Sequence, residues 1–73
     1  MYTKIEIYFP ADGEIETEIR PAPVKDTIKE VTERLAVKKI YNAWDYVNET
    51  LNIYSAETDE IPKAVCIFTE TVI

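Results

Sequence analysis

Residues 24–54 run without a glycine or a proline, the two residue types that most strongly punctuate a chain. Apolar residues in this stretch fall into two sets. Val24, Ile28, Val31 and Leu35 recur at steps of four, three and four, and Ile40, Trp44, Val47, Leu51 and Tyr54 repeat the pattern with one further step of three. Each set alone draws one face of a helix. Between Leu35 and Ile40 the step is five, which at about 100° per residue turns the second stripe to nearly the opposite side from the first. One straight helix cannot bury both on one sheet. The spacing therefore predicts helix through most of this stretch, with a break near Ala36 to Lys39. The alternative is a single long helix whose second half meets something other than its own sheet. Lys38 and Lys39 favour the break, because cations are stabilised near a helix C-terminus. Asn42 is then the candidate cap of a second helix. Pro23 suits the first helical position, Thr27 and Glu30 offer a capping box one turn later, and Glu30 and Arg34 are spaced for an ion pair.

On the N-terminal side, Tyr2 to Phe9 alternates, with Ile5, Ile7 and Phe9 on one face and Lys4, Glu6 and Tyr8 on the other. Glu14 to Arg20 alternates as well, with Ile15, Thr17 and Ile19 against Glu14, Glu16, Glu18 and Arg20. Both read as half-buried strands. Ala11-Asp12-Gly13 fits a three-residue hairpin loop whose last position is left-handed, a conformation that Gly13, the one glycine of the chain, takes without strain. That loop sets Phe9 opposite Ile15, Ile7 opposite Thr17 and Ile5 opposite Ile19, so that opposed residues share a face. Pro21 and Pro23 close the second strand. On the C-terminal side, Ser55 to Pro62 reads as a polar loop, and Lys63 to Val72 as a strand with neighbours on both sides. A competing reading makes Leu51 to Ser55 a strand hairpinned to Lys63 to Phe68. The expectation is one α+β domain over residues 1–73, ββααβ in order. Its three-stranded, mostly antiparallel sheet has the order second, first, third, with helix packed on one face.

With 73 residues the chain is near the lower limit for a core without staples, and 47% hydrophobic residues make that core attainable. A single cysteine, Cys66, excludes an internal disulfide and a multi-cysteine metal site. It reads as a small buried hydrophobe on a strand, and the absence of histidine leaves it and Ser55 without the usual activating base. One glycine cannot build a phosphate-cradling loop. Glu57, Asp59 and Glu60 lack the ligand spacing of a calcium loop. The sequence thus predicts no enzyme, cofactor or metal. No stretch is long and apolar enough to span a membrane, and Met1 to Phe9 has neither the basic start nor the apolar core of a signal peptide. A cytoplasmic setting is expected.

Fourteen acidic against eight basic residues give a net charge of −6, which argues against direct nucleic-acid binding and for a basic protein partner. Two surfaces are candidates for that partner. In the expected register Glu14, Glu16 and Glu18 stand in a row at a repeat of ~6.7 Å, with Glu6 opposite Glu18 on the neighbouring strand. A charged edge strand discourages edge-to-edge aggregation. A regular carboxylate row also suits a nucleic-acid-mimicking decoy, an inhibitor of the phage or mobile-element type that occupies the basic groove of a nucleic-acid-handling protein. The second surface is the expected aromatic-rich helix with Tyr41, Trp44 and Tyr46, residue types enriched at interface hot spots. It points instead to a structural or regulatory subunit that homodimerises.

Overall fold

The computed structural model describes residues 1–72, with β1 (Tyr2–Phe9), β2 (Glu14–Arg20), α1 (Val24–Val37), β3 (Asn42–Asp45), β4 (Thr50–Ile53) and β5 (Ala64–Thr71). All five strands join one antiparallel sheet in the order β2-β1-β5-β4-β3. The class is α+β, but the sequence expectation of ββααβ with three strands is overturned: the order is ββαβββ, with one helix. The expected neighbours of β1 are in place, since β2 and the C-terminal strand flank it.

Helix α1 carries the first stripe and stops where the spacing changed. It ends in a two-bond cap: the Lys39 amide donates to the Ala36 carbonyl at 3.1 Å and the Ile40 amide to the Leu35 carbonyl at 3.0 Å. This is the Schellman arrangement, which usually places glycine at its left-handed position. Here Lys39 takes that position with φ 57°, so the break lacks the glycine that would announce it. At the other end, Pro23 is the residue before the helix, with ψ 156°. Thr27 forms no capping box, because its hydroxyl donates to the Pro23 carbonyl at 3.0 Å. The Glu30–Arg34 pair is made, at 2.8 Å.

The expected second helix is a β-hairpin, with Trp44 opposite Leu51 and Asp45 opposite Thr50 around a loop of residues 46–49. Asp45 organises that loop. Its carboxylate accepts from the amides of Val47 (2.9 Å) and Asn48 (3.2 Å) and from the Asn48 side chain (2.9 Å), the Asx pattern that competes with helix. Glu49 completes the turn in the left-handed region, with φ 54°. Four-residue loops of this length are a standard hairpin closure. β4 then pairs with β5, the arrangement of the competing reading.

The first hairpin departs from expectation by one residue. Gly13 is left-handed as the sequence requires, with φ 69°, but Pro10 belongs to the loop, and Phe9 stands opposite Glu14, Ile7 opposite Glu16 and Ile5 opposite Glu18. Because side chains alternate with a period of two, a one-residue slip turns the whole of β2 over. Its glutamates therefore share the helix side of the sheet with Ile5 and Ile7, and Ile15 and Ile19 lie on the open side, 62% and 47% exposed.

The core sits between α1 and the middle of the sheet. Ile5, Leu35, Leu51 and Cys66 are buried there, with Ile7, Val31, Ile40, Trp44, Ile53 and Phe68 packed around them. Thr3 is also buried, and its hydroxyl donates to the Ala22 carbonyl at 2.7 Å, which ties the chain after β2 back to β1. The helix rests on β1 and β5, so β2 extends beyond its cover. Among the described residues no helix is long and apolar enough to cross a membrane.

Candidate protein-binding surface

Two edges of the sheet carry the residues singled out from the sequence, and they lie far apart. β2 and β3 are separated by three intervening strands, a distance of roughly 19 Å at about 4.8 Å per strand. The acidic and aromatic candidates thus form two separate surfaces.

On β2, Glu14, Glu16 and Glu18 are exposed and project from the helix side of the strand. Alternate strand residues repeat at about 6.7 Å, so the row is regular. Glu18 also faces Arg20, at 3.6 Å. Glu6 does not join this row. It pairs with Thr17 and Ile67 on the opposite face of the sheet and sits 3.9 Å from Lys4. The expected opposition of Glu6 and Glu18 depended on the three-residue loop and is lost with it. β2 is bonded to β1 alone, which leaves the main-chain groups on its outer edge open to another strand.

The aromatic residues do not share a helix face. Trp44, on β3, is half-buried and turned toward the helix side, where its ring centroid lies 6.4 Å from that of Phe68 with the planes tilted by 42°. It is a core residue with an exposed margin. Tyr46 is 85% exposed in the hairpin loop. Tyr41 precedes β3 and is 48% exposed, with its carbonyl accepting from the Tyr54 amide at 2.9 Å. Sequence reasoning missed the apolar residues of the open sheet face, Ile15, Ile19 and Ile67 among them. The alternation of β2 was visible; the side it presents was not.

Cys66 is buried on β5, and desolvation, helped by the negative charge of Glu18, pushes its thiol up to about 11. It is therefore neutral and unreactive at physiological pH. The Asp45 carboxyl is held below the usual value by its hydrogen bonds to Asn48, side chain first and then backbone, and by that to Val47. Both shifts are products of the fold: burial raises Cys66 and the hydrogen bonds of the loop lower Asp45. Comparison with protein-family models, curated proteins and solved structures finds no match to this chain.

Proposed function

We propose that this chain is a non-enzymatic protein-binding module that engages a basic partner along β2. The observation that carries the reading is the row of Glu14, Glu16 and Glu18 along β2, an edge strand paired on one side only. A partner segment that alternates Lys or Arg with apolar residues suits this edge. Its main chain extends the sheet, its cations meet the glutamates on one face, and its apolar side chains meet Ile15 and Ile19 on the other. Main-chain pairing of this kind supplies affinity and the alternating side chains supply specificity. The net charge of −6 adds long-range attraction for such a partner.

A narrower form of the same reading is a nucleic-acid-mimicking inhibitor, in which the glutamate row takes the place of phosphates in a basic groove. A subunit that homodimerises through an aromatic-rich helix has lost its basis, since Tyr41, Trp44 and Tyr46 lie on a loop, a strand and a turn.

Partners captured from lysate and identified by mass spectrometry are the material for the test. Reversing Glu16 and Glu18 to Lys should leave stability within about 0.5 kcal/mol, because both are exposed. The same double variant should bind the captured partner far more weakly, and wild-type binding should weaken as salt rises. Equal binding by wild type and double variant overturns the reading. Mutual exclusion with nucleic acid supports the decoy form, and simultaneous binding removes it.

A further inference from the structure

Between α1 and the sheet lies a cavity of about 130 Å³. Ile5, Ile7 and Cys66 form its sheet wall, Val31 and Leu35 its helix wall, and Ile40, just past the helix cap, closes one side. Its origin is the register of the first hairpin. β2 lies beyond the cover of α1, and the side chains it turns toward the helix are charged, so no hydrophobe from β2 fills the space. The solvent side is instead framed by Glu18 and Arg20 from β2 and by Arg34 and Lys38 from the helix end. Three of the eight basic residues of a chain with net charge −6 therefore converge on one apolar cavity.

We propose that this cavity binds a small monocarboxylate with a compact apolar body, of the size of benzoate. A cavity of roughly 150 Å³ lined by aliphatic side chains accommodates benzene, so the apolar walls match a single ring or a short branched chain. The frame decides the sign of the head group. Glu18 reaches Arg20 only at 3.6 Å, outside hydrogen-bond length. Arg20 Nε is shut off from solvent and has no acceptor. Among the described residues Lys38 enters no ion pair. Arg34, by contrast, is engaged by Glu30 at 2.8 Å. A carboxylate at the opening, with a small rotation of Arg20, accepts from the guanidinium fork and from Lys38 Nζ. It thereby supplies the missing acceptor, and charge-assisted bonds to a planar fork are the strong kind. A cationic ligand would meet the like charges of Arg20 and Lys38 there, with Glu18 the one carboxylate of the frame. This site shares Glu18 with the partner surface, whereas Glu14 and Glu16 take no part in it.

The test is a titration of isotopically labelled protein, followed through the methyl signals of Ile5, Val31 and Leu35, with benzoate, benzamide and benzylamine as probes. Benzoate should shift these methyls saturably. Benzamide, of the same shape without the charge, should bind at least about tenfold more weakly, the factor expected on losing charged hydrogen bonds. Benzylamine should give no saturable shift. Arg20→Gln and Lys38→Gln should each weaken benzoate by about tenfold. Lys38 is exposed, so its variant keeps the fold and reads the charge alone. Glu18→Gln should strengthen benzoate by removing the carboxylate that repels it at the opening. Absence of saturable benzoate shifts, equal binding of benzamide, or unchanged affinity in both cation variants would each overturn the proposal.

Discussion

Trp44 stands directly opposite Leu51 across the hairpin of β3 and β4, seven residues away along the chain. Opposed residues share a face, and here that face is the one beneath the helix. Seven residues are also close to two turns of an α-helix at 3.6 residues per turn. The same spacing therefore serves either structure, and Val47, between them, completes a helical stripe while standing 91% exposed in the loop.

This difference makes a direct prediction. Leu51 is 1% exposed, and Leu51→Ala should cost about 2–5 kcal/mol through lost burial and the cavity left behind. Val47→Ala should stay within about 0.5 kcal/mol. Urea denaturation of the two variants checks both. A comparable loss at Val47 would mean that residues 44–51 pack as a helix.

The left-handed positions should respond in opposite directions. Gly13→Ala meets no atom within 4 Å, so its cost, about 1 kcal/mol, should come from backbone strain at φ 69° alone. Lys39 pays that strain already in the helix cap, and Lys39→Gly should stabilise by up to about 1 kcal/mol. Equilibrium denaturation at one pH measures both.

Cys66 should make stability fall at high pH. Its thiol titrates at about 11 in the folded chain against an ordinary 9.0, so the folded state holds the proton longer than the unfolded state does. The contribution is complete below about 9 and is lost as pH rises from there through 11. Cys66→Ala should flatten this part of the pH profile relative to wild type. An unchanged slope would assign it to other groups. Alkylation of Cys66 at pH 8 should also require opening of the fold and accelerate with denaturant.

Asp45 acts at the other end of the scale. Its carboxyl is lowered below 3.8 by the hydrogen bonds of the loop, so its contribution is present above the unfolded value and lost as pH falls through the folded one. NMR titration should place the Asp45 inflection below that of a free aspartate. Asn48→Ala removes the largest cause and should move it upward.

Much of the local structure was legible before the fold was known. The alternation of Tyr2 to Phe9 and Glu14 to Arg20, the left-handed Gly13, the first helical stripe and the Glu30–Arg34 pair all depend on contacts a few residues apart, and each is present. The acidic row was equally legible as a row. Its company was not, because Glu6 and Glu18 share a face only if the first loop has three residues.

Three- and four-residue loops both end on a left-handed residue, so Gly13 marks the hairpin without counting its loop. The count is decided by β1, which must turn Ile5 toward Leu35 and Cys66, and by β2, which lies outside the cover of the helix and can turn either side to it. Likewise Lys38 and Lys39 announced the end of α1, but the chain after Ile40 had two structures of equal periodicity. The choice falls to β5, whose Ala64, Cys66 and Phe68 need partners on the helix side and whose main chain needs a second neighbour. β4 supplies that neighbour and brings Leu51 and Ile53 beneath the helix. Spacing along the chain thus determined which residues are apolar neighbours. Which surface they bury was decided only by hydrogen bonds and packing between segments distant in sequence, where a helix and a hairpin of the same period differ.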